Sequence, residues 1–365
     1  MAEEMQLDEA KIEEFAGRVF MAGLGATELF TMYFGQKLGL YEALQEKGGM
    51  TAAELAKEAS IDERYTREWL EQQAAAAILT VDDQSAPGDA RRYTLPAEHA
   101  LALLDSTFPA FIGPIPQMVA VVGRVVDPLV EGFRTGRGVP YAEYGPEAVD
   151  VQAGFYKPGY VSQLAQEWLP QIPDVHDRLQ ADPPARIADL ASGGGWPTIA
   201  IAKGYPKVQI DGYDLDEYSV TLARKNAAEE GVADRVEFHV ADASDSSLTG
   251  TYDVVTVFEA VHDLGRPVEF LQTVKRLVAP GGAVIIADEK TADSFTAPAD
   301  EMERFLYGAS LVWCLPMGLA DAPSAGTGAV IRERTFRDYA TKAGFKSVEV
   351  LPIEHPGLRF YRLHS

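Results

Sequence analysis

The spacing of apolar residues changes once along the chain, near residue 185. Before that point apolar positions recur at helical spacing, as in Ile12, Phe15, Val19 and Phe20. After it, short apolar and partly β-branched runs alternate with helical segments, which predicts a parallel sheet with helices on both faces. The predicted strands are Ile187–Ala191, Val208–Tyr213, Val236–Val240, Val254–Phe258 and Ala283–Ala287, and the predicted helices between them are 197–204, 216–230 and 267–278.

The end of the chain departs from this alternation. The strand-like runs Val348–Ile353 and Leu358–Leu363 are joined only by Glu354–Gly357. A parallel crossover needs a longer connection, so the last pair should be antiparallel. The pattern therefore predicts an α/β fold: a Rossmann-like, seven-stranded sheet with its last strand antiparallel, preceded by a mainly helical domain.

The helical N-terminal part has the element order of a winged helix. Thr51 and Glu54 form a capping box that opens one helix, and Asp62 caps a second. The runs Ile78–Val81 and Arg91–Leu95 flank a polar turn, as in a hairpin. Helix, turn, helix and hairpin are also the elements of DNA-binding domains.

Charge argues against nucleic acid as a partner. The chain of 365 residues has a formal net charge of −23, and residues 1–100 hold 19 acidic against 9 basic side chains. A DNA reader should present a basic face, and an anionic membrane would also be repelled. We therefore expect dimerisation or substrate covering from this domain, with a DNA-binding regulator as the alternative.

Other features of the composition concern the compartment. Cys314 is the single cysteine, so an internal disulfide is impossible and a reducing compartment fits. Met1–Glu4 are acidic and lack the basic segment of a signal peptide. The apolar stretch 108–130 is interrupted by prolines and does not match a membrane span. We expect a cytoplasmic protein without membrane contact.

A glycine-rich loop follows the first strand of the predicted sheet. Glycine lets the backbone approach a ligand closely, at the strand end where open sheets bind ligands. The loop lacks the Gly-Lys-Ser/Thr of a nucleoside triphosphate loop, and Thr198 stands where a dinucleotide fingerprint needs its third glycine. The spacing acidic-x-Gly-x-Gly-x-Gly of S-adenosylmethionine (SAM) loops fits instead, through Asp189, Gly193 and Gly195, with Ala191 in place of the first glycine.

Together with three further motifs, the loop makes residues 180–365 resemble the class I SAM-dependent methyltransferases. Asp214 ends the second strand 19 residues after Gly195, Asp242 follows the third, and Pro280-Gly281-Gly282 precede the fifth. The resemblance implies SAM as cofactor, with Asp214 on the ribose hydroxyls and Asp242 at the adenine amino group. Asp189 would organise the loop or meet the methionine ammonium, and a purely structural role is equally open. The remaining predicted cofactor residues are Leu215, Ala243 and Phe258, whereas Asp216 should cap a helix.

His262 and Asp263, just past the fourth strand, are the predicted catalytic residues. They resemble the His-Asp pair of small-molecule O-methyltransferases of the plant phenolic type, which also carry an N-terminal winged-helix dimerisation domain. That resemblance implies His262 as general base and Asp263 as a residue that holds substrate. A histidine titrates near pH 6.5, which suits proton transfer. A wall or structural role for His262, N- or C-methylation without a base, and a SAM-binding regulator without turnover stay open.

These expectations give a division of the chain and a partner set. Residues 1–100 should form a winged-helix-like dimerisation domain, 101–180 linking helices and 181–365 the SAM-dependent methyltransferase domain. We expect a homodimer acting on a small, apolar or aromatic acceptor. Tyr307–Pro316 should cover that acceptor or pack a domain interface. Asp263, Asp288 and Glu289 are rough material for a metal site, but the Asp-Asn pair of catechol-type enzymes is missing, so no metal is expected.

Overall fold

The chain forms two compact units that meet in sequence between Ala120 and Val121. The computed structural model describes residues 7–365. Met1–Glu4, on which the expected lack of a signal peptide rests, lie outside the described residues. The predicted linking segment 101–180 is divided between the two units, and the predicted domain limits at 100 and 180 stay a prediction.

The first unit has the element order expected of a winged helix. Thr51 and Glu54 form the predicted capping box, and Asp62 accepts from the Arg64 and Tyr65 amides to cap the next helix. Thr80 pairs with Thr94 in the antiparallel hairpin. The elements are α1 (Glu9–Lys37), α2 (Leu40–Lys47), α3 (Ala52–Ala59), α4 (Glu63–Ala75), β1 (Thr80–Val81), β2 (Tyr93–Thr94) and α5 (Ala97–Leu104).

One face of α1 packs closely and much of the rest is exposed. Gly35 is buried where a Cβ would lie 2.5 Å from the Tyr41 ring and 2.6 Å from the Trp69 ring. The predicted helical spacing is confirmed for α1, but the apolar residues that carry it face solvent, with Phe20 71% exposed. The exposed large apolar side chains of α1 are Ile12, Phe15, Val19, Phe20, Met21, Leu24, Phe30 and Phe34.

The positive charges of α4 are paired with acidic side chains on the same helix. Arg64 pairs with Glu68, and Arg67 Nη2 lies 2.6 Å from Glu63 Oε1. Both arginines are therefore engaged by carboxylates one turn away. The basic face that a recognition helix needs is missing from α4.

Helices lead from the first unit into the sheet of the second. α6 (Pro114–Arg124) contains the division between the units. The other helical elements before the sheet are α7 (Val126–Thr135), α8 (Tyr141–Tyr144), α9 (Glu147–Phe155), α10 (Lys157–Gly159), a π-helix (Tyr160–Trp168), a 3-10 turn (Leu169–Gln171) and α11 (Pro173–Gln180). Within residues 7–365, no helix combines the length and the hydropathy needed to cross a bilayer.

The second unit is built on the predicted seven-stranded sheet. Its strands are β3 (Arg186–Leu190), β4 (Gln209–Asp214), β5 (Val236–Val240), β6 (Tyr252–Phe258), β7 (Val278–Glu289), β8 (Ser347–Val350) and β9 (Leu358–His364). Their order in the sheet is β5-β4-β3-β6-β7-β9-β8, with β9 antiparallel to both neighbours, as predicted for the last strand. The helices are α12 (Trp196–Gly204), α13 (Glu217–Glu229), α14 (Pro267–Leu277), α15 (Glu301–Ala309), a π-helix (Ser310–Cys314), α16 (Leu315–Gly318) and α17 (Glu333–Lys342).

The order of the strands decides where a site forms. β3 lies between β4 and β6, and strand order reverses there. Leu190 pairs with Val257 across β3 and β6, so the segments after these strands leave the sheet side by side. Ligands of open parallel sheets bind at such a switch point.

The predicted Pro280-Gly281-Gly282 turn lies inside β7 instead of before it. The strand begins at Val278, and its register with β6 shifts between Tyr252 and Val254. Gly281 has a φ of 81°, which a bulge accepts at little cost when the residue is glycine. The motif is therefore a kink within a long strand.

Gly35→Ala should destabilise the first unit, whereas Gly23→Ala in the same helix should not. The Cβ at residue 35 meets two rings, which costs about 1–3 kcal/mol when a packed core must shift. Residue 23 has no atom within 4 Å of its Cβ, so alanine gains its helix propensity, about 1 kcal/mol. Urea unfolding of both variants measures the difference, and equal stability would contradict this account of packing.

Candidate active site

The loop after β3 takes left-handed backbone at alternate residues. Ala191, Gly193 and Gly195 have φ values of 57°, 51° and 80°. Only glycine adopts this region without strain, so Ala191 carries a cost of about 1–3 kcal/mol. The alternation turns the chain sharply from β3 into α12 and confirms the glycine-rich turn.

Two glycines of this loop serve different purposes. A Cβ at Gly195 would lie 2.7 Å from the Phe238 ring, so this glycine lets the loop pack on β5. A Cβ at Gly193 would meet no atom within 4 Å. The open space beside Gly193 is where backbone can approach a ligand.

Asp189 is a buried carboxylate with two hydroxyl donors. Thr198 donates to Oδ2 at 2.5 Å and Thr256 donates to Oδ1 at 2.8 Å. Burial raises the pKa of Asp189 to about 6, against the effect of the two hydroxyls. The contacts tie β3 to α12 and β6; a role at the methionine ammonium stays a prediction.

Asp214 holds the loop from the end of β4. Its Oδ2 accepts from the Gly193 amide at 2.8 Å and its Oδ1 from the Asp216 amide at 2.9 Å. Each carboxylate oxygen has a further lone pair, so the group can still accept from ribose hydroxyls. Burial raises the pKa of Asp214. Asp216 accepts from the Ser219 amide at 2.7 Å, which confirms it as the cap of α13.

The residues predicted at the adenine lie after β5. Asp242 Oδ1 accepts from the Ser244 amide at 2.7 Å, and its Oδ2 lies 2.7 Å from Arg266 Nη2. Ala243 is buried and Leu215, beside Asp214, is exposed. The Arg266 partner, which the sequence did not indicate, leaves the adenine role of Asp242 a prediction.

His262 is buried and contacts Asp288, an acid that the sequence indicated only as metal-site material. Its Nδ1 lies 2.6 Å from Asp288 Oδ1, and its amide donates to Asp288 Oδ2 at 3.3 Å. Asp288 is the penultimate residue of β7, and β7 runs beside β6. The sequence feature that could have indicated this contact is the pair of acids at the end of an apolar strand.

The second ring nitrogen of His262 faces Asp263 and Cys314. Asp263 Oδ1 lies 3.2 Å from Nε2 but has no hydrogen-bond partner. Burial lowers the pKa of His262, but the Asp263 and Asp288 carboxylates raise it by more than burial lowers it. The pKa of His262 therefore lies well above 6.5. His262, Asp263 and Cys314 each bring one ligand atom within 4.8 Å of the others, so they could hold a metal ion. The expectation that no metal is used stays a prediction.

An acidic cluster adjoins this histidine, and of its members the sequence indicated only Glu289, as metal-site material. Glu259 follows β6 and Glu289 ends β7, and the Tyr156 hydroxyl lies 3.4 Å from both Glu289 oxygens. Burial raises the pKa of Glu289 to about 7. Phe258, predicted to touch cofactor, is buried against Tyr160, with ring centroids 5.5 Å apart.

The Tyr141 hydroxyl interacts with carboxylates from two predicted parts of the site. Burial raises the pKa of this hydroxyl, and the carboxylates of Asp214, Asp216 and Asp263 raise it further. A common site for the predicted cofactor residues and His262 stays a prediction.

Each of the two units of the chain contains a segment that matches a known protein family. Residues 182–318 match the family described as "Methyltransferase domain", and residues 26–104 match the "Rv2258c-like winged HTH domain". The chain is 24% identical over 339 residues to L-tyrosine C(3)-methyltransferase of Streptomyces lavendulae, covering 88% of this chain and 84% of that protein.

Solved structures share the fold over the whole chain. Mitomycin 7-O-methyltransferase superposes with a TM-score of 0.70 at 20% identity, covering 98% of both chains. Human N-acetylserotonin methyltransferase in complex with SAM superposes with a TM-score of 0.71 at 14% identity, covering all of both chains. The seven-stranded sheet and the winged-helix unit thus belong to one established architecture.

Asp214→Asn should weaken binding of SAM. The asparagine side chain lacks the negative charge that the Gly193 amide and the ribose hydroxyls would share. A charge-assisted hydrogen bond contributes about 1.5–3 kcal/mol, which corresponds to about 10-fold to 100-fold in affinity. Asp216→Ser is the matched control because serine also caps a helix. Calorimetric titration checks both variants, and an unchanged affinity in Asp214→Asn would remove this carboxylate from the cofactor site.

Proposed function

The chain is a SAM-dependent methyltransferase with a winged-helix domain, and on that premise we propose that it methylates a hydroxyl of a small acceptor with His262 as general base. The observation that supports this most is the 2.6 Å contact between His262 Nδ1 and Asp288 Oδ1. It orients the ring so that Nε2, which faces Asp263, is the nitrogen that would take the proton. Asp288 would also stabilise the imidazolium that forms.

The chemistry requires little else from the protein. When bound, SAM supplies a methyl group on an already activated sulfonium sulfur. The chain aligns the acceptor, and Nε2 of His262 removes the hydroxyl proton as the oxygen becomes nucleophilic. Asp263, beside Nε2, would hold the acceptor. S-adenosylhomocysteine (SAH) is the product.

The predicted cofactor residues fit SAM by their hydrogen-bond acceptors and by the space beside them. Asp214, with Leu215 beside it, would accept the ribose hydroxyls while its Oδ2 keeps the Gly193 amide. Asp242 and Ala243 would border the adenine. The open space beside Gly193 leaves room for the ligand next to the loop.

The acceptor pocket should include α16 and the π-helix before it. A Cβ at Gly318 would lie 3.0 Å from the Asp263 carbonyl oxygen, so α16 packs on the loop that carries His262. An apolar groove lies along the same segment, which suits an apolar or aromatic acceptor. Its lining includes Leu129, Phe133, Val139, Leu311, Leu315 and Leu319.

Methylation at nitrogen or carbon is the second candidate. Asp263 Oδ1 lies only 3.2 Å from Nε2, and the raised pKa of His262 favours a ring that keeps its proton. A protonated His262 would position the acceptor without acting as base. The similar tyrosine enzyme from Streptomyces lavendulae is named for a transfer to carbon. Incubation with methyl-labelled SAM and matched phenols, anilines and L-tyrosine, followed by NMR of the product, identifies the atom methylated.

His262→Ala and Asp288→Asn should affect turnover differently. Loss of a general base lowers turnover by about 10²–10⁴ while SAM affinity stays close to wild type. Since the pKa of His262 is raised, wild-type activity should increase as pH rises through a value well above 6.5, where the ring loses its proton. Asp288→Asn removes one of the two carboxylates that raise this pKa, so the increase should move to lower pH and the maximal rate should fall. A pH–rate profile of SAH formation measures both.

The control for this pair is Asp245→Asn, an acid in an exposed turn after β5. It should match wild type at every pH. A His262→Ala enzyme as active as wild type would assign His262 to the wall of the site. An unshifted profile in Asp288→Asn would contradict the orienting role of that acid.

We also propose that two copies of the chain pair through the first unit. The apolar face of α1 is exposed over most of a 29-residue helix, a larger patch than single chains usually leave in water. A second copy offers the same face, which is how two-fold interfaces form.

The double change Phe15→Glu with Phe20→Glu should separate the copies. Wild type should have twice the chain mass of 39.7 kDa by light scattering, and the variant should have the single-chain mass, because charges on the apolar face oppose its burial. Glu13→Gln on the same helix is the control. A variant that keeps the double mass would place the interface elsewhere.

A further inference from the structure

Two acids at the carboxyl edge of the sheet lie beside the His262–Asp288 pair without belonging to it. Glu259 is the first residue after β6, and Glu289 is the last residue of β7. Glu289 is 6% exposed, and its two oxygens share the Tyr156 hydroxyl at 3.4 Å. The Oε1 atom of Glu259 is buried and has no hydrogen-bond partner.

The unpartnered oxygen distinguishes Glu259 from the other acids nearby. Both oxygens of Asp189 accept from threonine hydroxyls, and both oxygens of Asp288 accept from His262. Asp263 also has an unpartnered oxygen, but that atom faces Nε2 of His262 at 3.2 Å. A buried polar atom without a partner costs about 1–3 kcal/mol, and a donor from a ligand would remove that cost.

The cluster also has more negative than positive groups. Of the ion pairs within residues 7–365, none joins a lysine or arginine to Glu259 or Glu289. His262 is the cation that acts on both acids, and it already has Asp288 and Asp263. Buried carboxylates are ordinarily paired, so a cationic donor fits this cluster better than a neutral one.

The backbone places Glu259 next to the cofactor loop. Its φ of 55° is left-handed, a conformation that costs a non-glycine residue about 1–3 kcal/mol and that clusters at functional sites. Its amide donates to the Ala287 carbonyl at 2.9 Å, which fixes the turn. Because Val257 pairs with Leu190, Glu259 leaves β6 alongside the loop that begins at Ala191.

We propose that Glu259, supported by Glu289 and the Tyr156 hydroxyl, binds a protonated amino group of a ligand of this enzyme. Two ligands offer that group: the α-ammonium of SAM, and an amino group on the methyl acceptor. The second source rests on the proposed function, and the first needs only SAM binding. In both cases the ammonium donates to Oε1 of Glu259 and balances the charge of the cluster.

Binding of a cation should release a proton. Burial raises the pKa of Glu259, and the neighbouring carboxylates of Glu289 and Asp288 raise it further, while His262 lowers it. The hydroxyls of Tyr156 and Tyr160 also interact with Glu259, and burial raises the pKa of both hydroxyls well above its ordinary value. An ammonium favours the ionised carboxylate, so ligand binding should lower this pKa and release a proton where Glu259 holds one.

The test compares the binding of two adenosine compounds by calorimetry. Buffers of different ionisation enthalpy report the protons released on binding. SAH carries the α-ammonium, and 5′-methylthioadenosine keeps the adenosine and sulfur but lacks it. Glu259→Gln preserves size and backbone, and Glu237→Gln, whose side chain is 76% exposed on β5, is the matched control. Thermal unfolding of each variant confirms that it is folded.

For the cofactor as source, Glu259→Gln should weaken SAH by about 10-fold to 100-fold and abolish proton release, with methylthioadenosine unaffected. For the acceptor as source, SAH should bind both proteins equally. The SAH-bound wild type should then prefer tyramine over 4-ethylphenol, and Glu259→Gln should lose that preference.

Either pattern supports the proposal and identifies the source. Unchanged SAH affinity together with no preference for tyramine over 4-ethylphenol would overturn it, while leaving the methyltransferase assignment intact. Failure of both SAH and methylthioadenosine to bind wild type would instead remove the cofactor site itself, and the proposal with it. Glu237→Gln should behave as wild type in every titration.

Discussion

The arrangement of the site depends on one buried carboxylate, Asp189. Its two oxygens hold Thr198 of α12 and Thr256 of β6, so the strand before the loop, the helix after it and the neighbouring strand are joined at one point. The parallel register of β3 with β6 then brings the predicted cofactor loop and the His262 segment to the same edge. A change of one residue in that register would move the two apart, because alternate residues of a strand face opposite sides of the sheet.

The sequence correctly predicted the features that depend on residues close together in the chain. The caps at Thr51, Asp62 and Asp216 were readable because a short polar side chain binds an amide two or three residues away. The strands and the antiparallel end followed from apolar runs and one short connection. The Pro280-Gly281-Gly282 bulge was predicted as a turn, since proline and glycine mark both and only strand pairing separates them.

The partners inside the site could not be predicted in the same way. Asp288 reaches His262 across 26 residues of sequence, and Glu289 and Tyr156 meet across 133. Such contacts follow from strand order, which periodicity does not encode. Arg266 on Asp242 is a similar case, because a surface arginine gives no sign of its partner. The apolar spacing of α1 predicted a helix correctly, but the same spacing arises whether the apolar face meets a core or water.

The left-handed conformation of Glu259 has a consequence for how this position can vary. Glycine would relieve the strained backbone and remove a buried unpartnered oxygen, so the folded state alone favours its replacement. A glutamate kept there is therefore a residue at which stability and ligand binding oppose each other. In a set of related chains, glycine or asparagine at this turn would indicate enzymes that do not use a negative charge to bind the ligand. Glutamate would indicate enzymes whose ligand binding depends on that charge.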